Sequence, residues 1–95
     1  MKRELIFTQV AQSKLLSTLT YLESEFSESS KWKFVKKLDA CFKQIDSFQD
    51  SFKYSDFLKV HIAQVSKQTS FYYIYTDTEI WVLFFIDHRM NNLIK

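Results

Sequence analysis

The absence of both glycine and proline constrains this chain more than any other feature of its sequence. Average usage predicts roughly eleven such residues in a chain of this length. Glycine lets a backbone turn at positive φ or approach a phosphate closely, as in P-loops, dinucleotide-binding fingerprints and nucleophile elbows. The sequence therefore argues against enzymes that are built on such loops.

The length of 95 residues suits one domain, and we expect residues 1–95 to fold around a single core. Hydrophobic residues make up 46% of the chain and aromatic residues 18%, so there is enough apolar material to bury. This composition excludes disordered and low-complexity proteins. The net charge of +2 is too small to predict nucleic-acid binding from charge alone.

The single cysteine, Cys41, excludes an intramolecular disulfide and suits a reducing, cytoplasmic location. The two histidines, His61 and His88, show no metal-ligand spacing with Cys41, so we expect no metal and no other cofactor. The apolar run at 5–7 is too short for the core of a secretory signal. The run at 80–86 is too short for a membrane helix, which needs about 20 residues.

The first half of the chain predicts a strand and two helices. A short strand over 3–8 is followed by a helix from about Gln9 to Phe26, which Thr8 caps. The cluster at 27–30 is a connection in which Ser29 or Ser30 caps the second helix. Apolar residues then recur at helical spacing, at Phe34, Leu38, Cys41 or Phe42, Ile45 and Phe48. Because the connection is short, the two helices should form an antiparallel hairpin.

The second half predicts strands. The stretch 49–57 reads as an irregular crossing whose aromatic residues, Phe52, Tyr54 and Phe57, attach it to the core. A strand around 60–65, a turn at 66–69 and strands at 70–76 and 80–86 follow, the last apolar on both faces and so near the sheet centre. We therefore predict an α+β fold of order β-α-α-β-β-β, with the helical hairpin packed on one face of a mainly antiparallel four-stranded sheet.

Two stretches of the sequence resemble a known family. In "FTQVAQSKLLSTLTYLESEF", residues Thr8, Ala11 and Leu15 stand where the family has its strand-ending Ser or Thr and its helical Ala and Leu. In "VSKQTSFYYIYTDTEIWVLFFIDHR", the final Asp87, His88 and Arg89 match the end of the family's closing strand. Over nearly its full length the chain resembles the RelE/ParE superfamily of toxins from bacterial type II toxin-antitoxin modules.

The resemblance implies a small intracellular toxin that a cognate antitoxin holds inactive in a hetero-oligomer. RelE-like members cut mRNA on the ribosome, whereas ParE-like members poison DNA gyrase. A third possibility is a non-toxic binding module of the same fold. The chain has only two arginines, and the segment after Arg89 contains no Tyr or His that could serve as a tail acid or base. We therefore favour the ParE-like function and leave open whether the protein is an enzyme.

If the protein is a ribonuclease, four residues are the candidates for its chemistry. Cleavage of RNA through its own 2′-hydroxyl needs a proton acceptor and cations around the phosphate. Basic residues at the family's positions could supply both, namely Lys59, His61, Lys67 and Arg89. The alternative for His61 is a solvent-facing position on an alternating strand.

Four residues are candidates for binding a partner. Arg89, Asp87 and His88 lie together at the end of the last strand, where Asp87 either holds Arg89 by a charge-assisted hydrogen bond or caps the strand. Trp32 lies among lysines at the start of the second helix, in an interface or packed against the sheet.

The aromatic strand at 70–76 presents two different faces. Alternation places Phe71, Tyr73 and Tyr75 on one face and Tyr72 and Ile74 on the other. One set should pack under the helices. The other set is either a stacking surface for RNA bases or an apolar face that the antitoxin covers.

Overall fold

The computed structural model describes residues 1–88 and contains seven elements. Their bounds in chain order are β1 Glu4–Phe7, α1 Gln9–Glu25, α2 Glu28–Ser47, β2 Lys53–Ser55, β3 Val60–Gln64, β4 Thr69–Tyr75 and β5 Glu79–Asp87. The α+β class is confirmed, as is the hairpin of helices on one face of a mainly antiparallel sheet. No helix in the described part of the chain is long and apolar enough to cross a membrane.

Serine and threonine caps define the starts of both helices. Thr8 has extended backbone, and its Oγ1 accepts a hydrogen bond from the Ala11 amide at 3.1 Å, as predicted. In α2 the cap is Ser27, which accepts from the Ser30 amide at 3.0 Å, so the prediction of Ser29 or Ser30 was wrong. Ser27 is the first hydroxyl after α1 and therefore shortens the connection. An ion pair of 2.8 Å between Lys31 and Glu23 links the two helices across the turn.

The sheet has five strands in the order β1-β5-β4-β3-β2 rather than the four that we predicted. β1 pairs with β5 in parallel, and the other three pairings are antiparallel. The additional strand is β2, which lies in the stretch predicted to be irregular and pairs with β3. It forms because a tight turn folds it back: the Lys59 amide donates to the Ser55 carbonyl at 2.7 Å, and Lys59 takes a φ of 61°. The sequence does not indicate this turn, because a positive φ is normally found at glycine or asparagine rather than at lysine.

The core lies between the helical hairpin and one face of the sheet, which we call the inner face. Strands β4 and β5 contribute Phe71, Tyr73, Ile80, Val82 and Phe85. The helices contribute Ala11, Leu22, Phe34, Leu38, Cys41, Phe42 and Ile45. The rings of Phe42 and Phe71 lie 5.2 Å apart across this boundary. Cys41 is buried there, and burial raises the pKa of its thiol.

A β-bulge at Leu83 interrupts the regular alternation of side chains along β5. The register passes from Tyr72 opposite Phe84 to Tyr73 opposite Val82, which leaves Leu83 as the extra residue. The Leu83 carbonyl accepts a hydrogen bond from the Thr8 hydroxyl. Because the bulge shifts the alternation by one residue, Val82 and Phe85 both point inward.

Three aromatic residues expected in the core are exposed instead. Tyr54 is 45% exposed because β2 is the edge strand of the sheet. Phe48 is 73% exposed because it is the C-cap of α2, where the backbone turns extended and the helical spacing no longer applies. Phe57 is 93% exposed in the turn between β2 and β3. Phe52 does pack against the core, with its ring 6.5 Å from that of Tyr73.

Candidate partner-binding surface and histidine cleft

The side of the sheet that faces away from the helices, the outer face, is apolar. Its members are Ile6, Ile62, Tyr72, Ile74, Trp81, Phe84 and Ile86, which alternate with the inner-face residues. They stand in cross-strand rows: Ile62 is opposite Tyr72, and Tyr72 is opposite Phe84. The rings of Tyr72 and Phe84 lie 4.5 Å apart.

Within residues 1–88 no helix or strand covers the outer face. Ile74 is 40% exposed and Phe84 37% exposed, while the core lies between the helices and the opposite side of the sheet. Alternation places few charges on the outer face, namely Glu4, Lys53 and Glu79 at its margins. The outer face is therefore a candidate for a surface that binds a partner, as exposed apolar patches on small domains often are.

The four ribonuclease candidates are not brought together in the part of the chain that the structure describes. Lys59 lies in the turn before β3, and Lys67 lies in the turn after it. The five residues of β3 separate the two by roughly 16 Å at about 3.3 Å per residue. His61 points to the inner face, and Arg89 lies outside the described residues.

His61 is buried rather than solvent-facing, with 7% of its surface exposed. Its ring stacks on Tyr73, with centroids 5.0 Å apart and planes at 19°. Its Nδ1 lies 3.2 Å from the Phe52 carbonyl, and its Nε2 lies 3.4 Å from Asp50 Oδ1. Both ring nitrogens therefore face an oxygen, which fixes the orientation of the imidazole.

Beside His61 lies an open cleft of about 490 Å³, which we call the histidine cleft. It is lined by Asp50, Phe52, Tyr54, His61 and Tyr75. The Tyr75 hydroxyl donates to Asp50 Oδ1 at 2.8 Å, and this bond raises the pKa of Tyr75. The hydroxyl of the buried Tyr73 donates to the Gln49 carbonyl at 2.8 Å, and burial raises the pKa of Tyr73 as well.

Sequence reasoning did not single out Asp50 and Tyr75, which line the histidine cleft. They are 25 positions apart and belong to no motif, so only the pairing of β2, β3 and β4 brings them together. The available signal was the cluster of aromatic residues right after α2, which we assigned to core attachment alone.

The candidate binding residues have different environments. Trp32 is 53% exposed and does not pack against the sheet; its Nε1 donates to Glu28 at 3.4 Å. Lys31 Nζ lies 5.0 Å from the centre of the Trp32 ring, a cation–π contact. Asp87 is fully buried on β5 opposite Thr69. His88 is exposed, and its amide donates to the Gln68 carbonyl at 2.7 Å.

A shallow cleft of about 220 Å³ joins the start of α2 to the turn between β3 and β4. It is lined by Leu22, Phe26, Ser30, Lys33, Phe34, Lys37, Ser66 and Gln68. Because Gln68 holds the His88 amide, the lysine-rich start of α2 and the end of β5 lie at the same end of the molecule.

Comparison with known proteins identifies the fold. No protein-family model and no curated protein matches the chain. A structure titled as the chromosomal ParDE TA system from P. aeruginosa superposes with a TM-score of 0.71 at 16% identity, covering 90% of this chain and 96% of that one. A copper-bound mutant toxin from Helicobacter pylori gives a TM-score of 0.63 at 16% identity, covering 93% of this chain and 97% of that one. The chain therefore has the fold of the RelE/ParE toxins, as its sequence resemblance predicted.

Proposed function

We propose that this protein is the toxin of a type II toxin-antitoxin module and that it is ParE-like. It inhibits growth in the cytoplasm by binding a cellular target such as DNA gyrase, and a cognate antitoxin neutralises it. The observation that carries this proposal is the outer face, which is apolar and is left uncovered by the described chain. The fold shared with toxin structures supports the same conclusion.

The placement of basic residues favours binding over RNA cleavage. A phosphodiester-cleaving site needs cations and a proton acceptor within reach of one phosphate. Lys59 and Lys67 lie at opposite ends of β3, and His61 is buried on the other side of the sheet from the outer face. The outer face offers Tyr72, Trp81 and Phe84 where an RNA backbone would need positive charge.

The antitoxin covers the outer face in this proposal. Fully burying an aliphatic or aromatic side chain contributes about 1.5–3 kcal/mol, and Ile74 and Phe84 are the most exposed members of the face. The partner that suits this surface is a segment with several apolar side chains and few charges, since among residues 1–88 only three charged residues lie at the margins.

Controlled expression in a bacterial host tests the proposed function. Cleavage of ribosome-bound mRNA and the DNA-damage response are followed within minutes of induction. We expect growth arrest with a damage response and intact mRNA. Rapid cuts within translated codons would instead identify a RelE-like ribonuclease, and normal growth without either signal would leave a non-toxic binding module.

A double variant, Lys59→Ala with Lys67→Ala, separates the first two outcomes. Both lysines are exposed turn residues, so the fold should survive their loss. We expect growth inhibition to persist, because the proposed mechanism does not use them. Loss of inhibition together with loss of mRNA cleavage would assign catalysis to these lysines.

A further inference from the structure

The histidine cleft has the composition of a site for a positively charged group. Aromatic side chains, Phe52, Tyr54 and Tyr75, line it together with one carboxylate, Asp50. The faces of aromatic rings attract cations that lie within about 6 Å of the ring centre. We propose that the histidine cleft binds the guanidinium group of an arginine that a partner protein presents.

The polar atoms of the cleft are mainly hydrogen-bond acceptors, and Asp50 Oδ1 already accepts a hydrogen bond from the Tyr75 hydroxyl at 2.8 Å. Asp50 Oδ1 lies 3.4 Å from His61 Nε2. When Nδ1 carries the proton and donates to the Phe52 carbonyl, Nε2 is an acceptor as well. A guanidinium N–H group that approaches from the open side of the cleft can donate to either of these two atoms. Within residues 1–88 no group bonds Asp50 Oδ2, so a second N–H of the same guanidinium has an acceptor beside the first.

The charge of Asp50 and the end of the α2 dipole place negative charge beside the cleft. Asp50 lies three residues after Ser47, the end of α2, where the helix dipole places negative partial charge, and the last turn of α2 contains no basic residue. The positive charge of Arg3 partly opposes the rise in the pKa of Tyr75, but its guanidinium group is held by the Thr76 carbonyl and by Asp46. Among the described residues, no lysine or arginine forms an ion pair with Asp50.

The geometry favours arginine over lysine. A planar guanidinium stacks on aromatic rings and presents parallel N–H groups to a carboxylate, whereas an ammonium group is a strongly hydrated point charge. The Asp50 side chain is 73% exposed, so the carboxylate is accessible from solvent. A volume of about 490 Å³ also lies within the range of small-molecule sites, so an arginine side chain fits.

The direct test is a titration of the isotopically labelled chain, followed by nuclear magnetic resonance. The probes are N-acetyl-arginine amide and its neutral isostere, N-acetyl-citrulline amide. For one side chain in an open cleft we expect a dissociation constant on the order of millimolar for the arginine probe. Shifts should cluster at Tyr54, His61 and Tyr75, and citrulline should bind about tenfold more weakly. Equal affinity for the two probes, or shifts clustered elsewhere, would overturn the proposal.

Two variants with a matched control locate the site. Asp50→Asn removes the charge but keeps an oxygen for the Tyr75 hydroxyl, and it should weaken arginine binding about tenfold. Asp56→Asn makes the same change at an exposed residue that does not line the cleft, and it should leave binding within about twofold. Equal losses in both variants would mean that net charge alone attracts the probe.

Tyr54→Leu gives an independent measurement should Asp50→Asn disturb the fold. Tyr54 is 45% exposed on the short edge strand β2, so its ring can be removed at little cost to the core. We expect binding to weaken about three- to tenfold through loss of the aromatic wall. Unchanged affinity in this variant would exclude the aromatic contribution and overturn the proposed geometry.

Discussion

The two faces of the sheet contain similar side chains but have different surroundings. Phe71 and Tyr73 on the inner face are fully buried under the helices, whereas Ile74 and Phe84 on the outer face are more than a third exposed. Local sequence is therefore a poor guide to which face is the core: β4 and β5 are apolar on both sides. The helices decide it, because their own apolar residues can pack on only one side of the sheet.

The largest expected contrast between the faces is in stability. Phe71→Ala should lower the free energy of unfolding by about 3–5 kcal/mol, because it leaves a cavity under α2. Phe84→Ala, the matched change on the outer face, should cost less than about 1.5 kcal/mol, since part of that ring already contacts water. Urea unfolding measures both. Similar losses in the two variants would show that the outer face is also a packed core.

In binding of the proposed antitoxin we expect the opposite: the outer face should matter most. Phe84→Lys should weaken binding of the proposed antitoxin about 30- to 100-fold, because it places a charge in a desolvated interface, an effect of about 2–3 kcal/mol. The control is Phe57→Lys, which changes a highly exposed aromatic residue far from the outer face in the turn before β3. A calorimetric titration distinguishes them. Greater weakening by Phe57→Lys would move the antitoxin to the tip of the β2–β3 hairpin.

A smaller difference is expected between two neighbouring tyrosines. Tyr73→Phe removes a buried hydroxyl that donates to the Gln49 carbonyl, and it should cost about 0.5–1.5 kcal/mol of unfolding free energy. Tyr72→Phe should cost almost nothing, since in residues 1–88 its hydroxyl bonds no other group. Thermal unfolding monitors both variants. A larger loss of stability in Tyr72→Phe than in Tyr73→Phe would contradict the assignment of Tyr73 to the buried inner face.

The smallest expected effect is a pH-dependent change in stability at Asp46, near the end of α2. Hydrogen bonds from the Lys2 amide, then the Arg3 amide, lower the pKa of Asp46 despite an opposing effect of burial. A lowered folded pKa means that the stabilisation is complete above the unfolded value of about 4 and is lost as pH falls through the folded value. Between pH about 2 and 7, the free energy of unfolding of Asp46→Asn should therefore fall below that of the parent chain only at the higher pH values. A difference that grew on acidification would refute this assignment.

The sequence predicted the regular elements well because their signals are local. The bounds of α1, β4 and β5 match the predicted ranges to within one residue, and Thr8 caps α1 as expected. The failures are non-local. β2 has only three residues, too few for a pattern, and its existence depends on pairing with β3.

The histidine cleft could not be predicted for the same reason. Asp50 is an ordinary polar residue after a helix, and Tyr75 ends a strand whose aromatic residues all look alike in sequence. His61 alone drew attention, but strand alternation cannot say which side the helices occupy. Only the packing of α2 on the inner face determines that His61 is buried and that Asp50 meets it.

The parallel pairing of β1 with β5 affects the order in which the molecule can be assembled. Thr8 and Leu83 touch although they are 75 residues apart, and among the described strands only β5 lies beside β1. During synthesis, β1 cannot pair with β5, and the apolar sides of both helices cannot pack on the complete sheet, until nearly all the described chain has left the ribosome. Contacts between such distant residues form slowly, so an unfinished chain has no complete sheet on either face. The inner and the outer face of the sheet are therefore both completed only when β5 has emerged.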